Sequence, residues 1–142
     1  MILTHYTIDE LYDVVFDKEE WDYKLPLYKT DGNFYVFENF HYFQPSNFRE
    51  NSSYIVAFNN KEDIIGILKY SFYDDFCGMN YIDVHKDYRR HGIATQLIEY
   101  FCNFMDADID IKVSHMSFEG SKAHILDIFK RVAKQNILYD EY

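Results

Sequence analysis

Asp83-Val84-His85-Lys86-Asp87-Tyr88-Arg89-Arg90-His91-Gly92-Ile93-Ala94-Thr95 reads as a strand end, a short basic loop and the start of an amphipathic helix. The whole chain has a formal charge of −10, yet His85 to His91 holds three full positive charges (Lys86, Arg89, Arg90) against one negative, Asp87. The first N–H groups of a helix have no intrahelical acceptor and point outward. The helix dipole adds about half a positive charge at that end. Such an end is a place for an anion, and phosphate suits it. Gly92 lacks a Cβ and lets the backbone come close to a ligand, and Ala94 keeps the next turn small. The bland alternative is a basic strand-to-helix turn with no ligand.

The spacing Arg89-x-x-Gly92-x-Ala94, with Val84 five residues before the arginine and Tyr88 beside it, carries a resemblance. It resembles the (Gln/Arg)-x-x-Gly-x-(Gly/Ala) pyrophosphate loop of the GNAT superfamily of N-acetyltransferases. The resemblance covers about residues 55–113, with an apolar strand before the loop and a helix after it. It implies an α/β (α+β) fold with a mixed central β-sheet and helices on both sides. It also implies acetyl-CoA as cosubstrate, no metal, and acetyl transfer to an amine.

Length and composition set the outer bounds. A chain of 142 residues, 48% hydrophobic and 20% aromatic, suffices for one domain with a core, taken here as residues 1–142. No apolar run is long enough to cross a membrane as a helix, and the first residues lack the pattern of a signal peptide. Cys77 and Cys102 make neither a metal-ligand spacing nor a disulfide framework, which fits a reducing cytoplasm. The net charge argues against nucleic acid, whose phosphates need a basic face, and fits a cationic partner. Solubility alone also accounts for such a charge.

Along the chain, residues 1–6 read as an edge strand. Thr7 and Glu10 form a capping box before a helix with Ile8, Leu11, Tyr12 and Val15 on one face. Asp17 to Glu20 read as charged and solvated. Residues 21–51 form an aromatic-rich insert whose periodicity does not decide between helix and strand. Strands are expected at 53–58, 64–73 and 79–84, with polar turns at 59–63 and 74–75. Ile93, Leu97, Phe101 and Met105 make a helical stripe, with Glu99 and Asn103 facing away. A strand follows at 109–113. A last helix starts at Gly120-Ser121 with Ile125, Ile128, Phe129 and Val132 on its apolar face, and a closing strand is expected at 137–139. The strand–helix–strand unit around Arg89 is expected to be parallel.

The resemblance assigns roles position by position. Backbone N–H groups of Arg89, Arg90, His91, Gly92, Ile93 and Ala94 hold the pyrophosphate as a cradle of dipoles. Arg89 or Arg90 adds a charged contact, and Thr95 caps the helix or touches phosphate. Ile82 and Val84 offer main-chain groups to the pantetheine arm, as one more strand would. Their side chains equally suit simple core packing. A backbone N–H near Val84 stabilises the oxyanion. The attacking amine must lose a proton, and an acidic site alone raises its pKa, so a base or a water chain is needed.

Here the chain departs from the family pattern. Asn80 stands nine residues before Arg89, where many members carry a carboxylate base. An asparagine cannot take the proton but can orient a water. Phe129 stands where members often carry a tyrosine acid, and the Gly-Phe that follows in the family is absent. Asp83 is one stand-in base, or else a solvated or capping carboxylate. His115, after the 109–113 strand, is another, or else a surface histidine. The aromatic insert either grips an alkyl-ammonium through its rings and Glu38 and Glu50 or fills a core or dimer interface.

The leading reading is thus an acetyl-CoA-dependent N-acetyltransferase. Its acceptor is a polyamine, another small cationic amine, or a lysine or N-terminus of a protein; the resemblance also allows a homodimer. A non-catalytic CoA-binding module with an acidic interaction surface is the second reading. A toxin acetylating aminoacyl-tRNA is a third, which the acidic charge opposes.

Overall fold

Thr7 closes one element and opens the next. The Glu10 N–H donates to Thr7 Oγ1 at 3.2 Å, and the Thr7 N–H donates to Glu10 Oε1 at 3.0 Å. This is the expected reciprocal capping box, and it turns strand β1 (Ile2–Thr7) directly into helix α1 (Ile8–Val15). The structure is a computed structural model that describes residues 1–17, 22–23, 52–61, 64–88, 90–114 and 122–139. Most of the aromatic insert, Arg89, His115 and the Gly120-Ser121 helix start lie outside the described residues.

After α1 come two short strands, β2 (Phe16–Asp17) and β3 (Asp22–Tyr23), which pair antiparallel. Asp17, expected to be merely solvated, thus takes part in a ladder opposite Asp22. The main sheet continues with β4 (Ser52–Phe58), β5 (Ile64–Phe72) and β6 (Phe76–Val84). A single 3-10 turn (Lys86–Tyr88) leads to helix α2 (Ile93–Phe104), then β7 (Asp110–Val113), helix α3 (Lys122–Val132) and β8 (Ile137–Tyr139).

The six strands of the main sheet lie in the order β1-β4-β5-β6-β7-β8. The first four run antiparallel to their neighbours, and β6, β7 and β8 run parallel. The sheet is therefore mixed and flanked by helices, as expected, and the β6–α2–β7 unit is the parallel crossover. β1 is an edge strand.

Alternation decides which residues meet which helix. Ile55, Ala57, Leu68, Met79, Ile82 and Val84 pack in one core with Ile93, Leu97, Ile98 and Phe101 of α2 and Ile125, Ile128 and Phe129 of α3. The α2 stripe is buried through Met105, while Glu99 and Asn103 are exposed. The helix closes tightly on the sheet at Gly66, where an added Cβ would lie 2.9 Å from Ile93 Cγ2 and 3.2 Å from Leu97 Cδ1.

One boundary moves substantially. β6 begins at Phe76, not at residue 79. Gly78 reads locally as a breaker, but Phe76, Cys77 and Gly78 pair on both sides, with β5 and with β7. Two ladders outweigh a weak local preference. Smaller shifts put β4 at 52–58 and β7 at 110–113. Among the described residues no helix is long and apolar enough to cross a membrane.

Candidate functional site

The basic loop is built by bonds that reach outside it. The His85 N–H donates to the Ile65 carbonyl at 2.8 Å and keeps His85 in the sheet. The Tyr88 N–H then donates to the His85 carbonyl at 2.9 Å, which closes the 3-10 turn. His85, almost wholly buried, accepts the Asp87 N–H on Nδ1 at 3.1 Å. Asn59, on the turn between β4 and β5, donates through Nδ2 to the Tyr88 hydroxyl at 2.9 Å and accepts the Lys61 N–H on Oδ1 at 2.9 Å. The Tyr88 ring lies edge-on to both His85 and His91.

Beyond Tyr88 the backbone alternates in hand. Arg90 has φ 67° and Gly92 has φ 78°, while His91 between them is not left-handed. Successive residues of opposite hand turn their N–H groups into one concavity, which binds anions. Gly92 is the N-cap of α2 and has no side chain to bond the first turn; the first helical bond runs from the Gln96 N–H to the Gly92 carbonyl at 3.1 Å. Thr95, expected as a cap or phosphate contact, is half-buried within that turn and is not the cap. A Cβ at Gly92 would meet nothing within 4 Å, so space is open where an anion would sit. Arg90, His91 and Gly92 are exposed, Ala94 is half-buried, and Ile93 belongs to the core.

The second half of the site is an open strand edge. β7 pairs with β6 only from Phe76 to Met79, and the last bond is from the Ser114 N–H to the Met79 carbonyl at 3.0 Å. At that point Lys69 of β5 faces Tyr81 while Tyr70 faces Met79, so Asn80 is an extra residue in β6. Such a bulge bends the strand and ends pairing. Because the His85 N–H points to β5, strand alternation turns the main-chain groups of Ile82 and Val84 the other way, toward the side β7 has left. Their side chains are in the core, as the packing reading has it, while their main-chain groups face the open edge.

Asn80 and Asp83 occupy different settings. Asn80 Nδ2 donates to Ser71 Oγ at 3.0 Å, and Ser71 Oγ shares a hydrogen bond of 2.9 Å with Ser52 Oγ. A polar chain thus crosses three strands and orients the asparagine amide. Asp83 is not solvated: it is 4% exposed. Tyr81 donates its hydroxyl to Asp83 Oδ2 at 3.2 Å, and the Val84 N–H donates to Asp83 Oδ1 at 2.9 Å. The N–H expected to receive an oxyanion is therefore already engaged by a carboxylate. Phe129 lies fully inside the core of α2 and α3 and has no proton to give. The structure brings Asn80, Ile82, Asp83 and Val84 together on β6, one 3-10 turn away from Arg90, His91 and Gly92.

Charge is segregated along the sheet. At the far end of β6, Asp74, Asp75, Asp106 and Asp108 line an open groove of about 430 Å³ together with Tyr73, Phe76 and Ile109. The basic loop lies at the other end, roughly 30 Å along a nine-residue strand.

Sequence reasoning missed Asn59, Ser52, Ser71 and Tyr81. Asn59 carried a readable signal as an Asx turn in a polar pair. Its partner Tyr88 lies 29 residues away, and no local pattern joins them.

Comparison with known proteins agrees with this architecture. Residues 10–117 match the model of the Acetyltransferase (GNAT) family. No curated protein sequence matches the chain. Among solved structures, a mutant of the BH1408 protein from Bacillus halodurans is 15% identical with a TM-score of 0.52, over 92% of this chain and 90% of that one. The xEco2 acetyltransferase domain, bound to a CoA conjugate, is 14% identical with a TM-score of 0.51, over 79% of this chain and 89% of that one. Nourseothricin acetyltransferase is 22% identical with a TM-score of 0.36; the match spans 39% of this chain and about a third (34%) of that one. For the first two, at these identities, the likeness is one of fold.

Proposed function

Because the chain belongs to the Acetyltransferase (GNAT) family, we propose that it uses acetyl-CoA to acetylate a primary amine. The observation that carries this reading is the alternate-handed Arg90–His91–Gly92 backbone at the N-terminus of α2, set beside the open main-chain edge of Ile82 and Val84. One part fits a pyrophosphate and the other an extended amide-bearing arm. The open space at Gly92 supports the fit. Acetyl-CoA supplies an acetyl thioester activated for attack by an amine. Arg89, by its place in the motif, adds charge to the phosphate contact.

The acceptor we favour is cationic: a polyamine, another small amine, or a protein lysine or N-terminus. The chain charge of −10 supports this by steering cations inward. Catalysis also needs the ammonium to lose a proton. Asn80, held by Ser71, would orient a water for that step rather than take the proton itself. His115 remains a candidate base by its place after β7. The two thiols suit a cytoplasmic setting.

A second reading is a CoA-binding module without turnover. It is favoured by one specific pair of observations: an amide at Asn80 and a buried phenylalanine at 129 where family members carry a base and an acid.

Isothermal titration of acetyl-CoA and CoA into wild type and Gly92→Glu tests the cofactor site. The expected result is binding by wild type and none by a folded Gly92→Glu protein, whose added carboxylate fills the anion space. Absence of binding to wild type would overturn both readings. Binding without acetylation of a broad amine panel would leave the second.

A further inference from the structure

Asp83 is a buried carboxylate bonded to the Val84 N–H, and its cost needs a reason. A carboxylate removed from water is expensive unless hydrogen bonds offset it. Here the Tyr81 hydroxyl and the Val84 N–H each donate to it, at 3.2 Å and 2.9 Å. An ionised carboxylate only accepts hydrogen bonds, and so does a thioester carbonyl. Both therefore compete for the Val84 N–H, which points to the side of β6 that β7 leaves after Met79. The carboxylate holds the stronger position, because charge-assisted bonds are roughly twice as strong as neutral ones.

We propose that Asp83 is a positioning residue that holds the Val84 N–H against an entering acyl carbonyl, so that it lowers the site's preference for acetyl-CoA over CoA. This rests on the cofactor reading above. Asp83 and Tyr81, two residues apart, point to the opposite face of β6 from Ile82 and Val84, whose side chains pack on α2. Displaced from Val84, the carboxylate keeps its bond to Tyr81. Its negative charge near the entering carbonyl oxygen further weakens acetyl-CoA relative to CoA, which brings no carbonyl to this point.

The test is the ratio of CoA Kd to acetyl-CoA Kd, measured by titration calorimetry in wild type, Asp83→Ala and Asp83→Asn, with circular dichroism as the check of folding. A merely structural role moves both affinities together and leaves the ratio unchanged. The expected result is a ratio raised about fivefold in Asp83→Ala, and less in Asp83→Asn, which keeps an acceptor without the charge. Should Asp83→Ala fail to fold, Asp83→Asn carries the test, because it retains an acceptor for Tyr81. An unchanged ratio in a folded variant that still binds CoA overturns the proposal, as does an equal loss of both ligands. Failure of wild type to bind either ligand overturns the cofactor reading and this proposal with it.

Discussion

Asn59 donates a 2.9 Å hydrogen bond to the hydroxyl of Tyr88, tying the β4–β5 turn to the basic loop after β6. It adds a second tie to the one His85 makes through its N–H to the Ile65 carbonyl. Asn59→Ala and Tyr88→Phe are each expected to weaken CoA binding about two- to tenfold, the worth of one net hydrogen bond of about 0.5–1.5 kcal/mol. The double variant is expected to be no weaker than the singles, which titration calorimetry checks. Full additivity would show that the two residues act separately.

Gly92 adopts φ 78° with no atom near its missing Cβ. Gly92→Ala is therefore a conformational change without a clash. It is expected to cost about 1–2 kcal/mol, a fall in Tm of roughly 2–8 °C for a chain of this size. Gly92→Asn, whose side chain tolerates the left-handed region, is expected to fall less. Thermal unfolding followed by circular dichroism decides, and equal falls would contradict the conformational account.

Gly66 admits the first turn of α2 against β5. Gly66→Val is expected to destabilise by about 1–3 kcal/mol through overpacking against Ile93 and Leu97. Because Ile93 begins α2, CoA affinity is expected to fall as well. A lowered Tm with unchanged affinity would show that the loop does not depend on the seating of the helix.

The capping box carries a pH signature. The Thr7 backbone N–H, then its hydroxyl, hold the Glu10 carboxyl below its usual range. A group with a lowered native pKa stabilises the fold above its unfolded pKa, and that contribution is lost as pH falls through the native value. The advantage of wild type over Glu10→Gln in thermal unfolding is thus expected at pH 7 and absent in strong acid. An advantage that persists in acid would assign it to packing instead.

Cys77 and Cys102 are free and buried, and burial pushes both thiols up to about 12. Thiolate is the reactive form. Neither cysteine is expected to react with a thiol-specific reagent in the native protein at pH 8, and both are expected to react after unfolding. Fast labelling of the folded chain would show that the core opens at one of them.

The capping box and the stripe of α2 were legible because both are patterns of near neighbours. Thr7 and Glu10 are one helical turn apart, and Ile93, Leu97 and Phe101 repeat along one face. The order of most elements along the chain followed from such periodicities, and the parallel crossover from the strand–helix–strand unit; the order of strands across the sheet did not. The start of β6 was not legible, because Phe76 to Gly78 owe their extended form to ladders on both sides. The setting of Asp83 was half legible: alternation placed it opposite Val84, but only the Tyr81 and Val84 bonds show a buried acceptor instead of a solvated one.

By itself the sequence determined the basic loop, the glycine at its end and the helix behind it, since charge spacing and a residue without Cβ act within a few positions. Tertiary structure alone decided where the strand edge opens. That depends on β7 parting from β6 at Met79 and on the extra residue at Asn80, held across three strands by Ser71 and Ser52. These contacts join residues far apart in the chain, and their energy exists only once the sheet has brought them together.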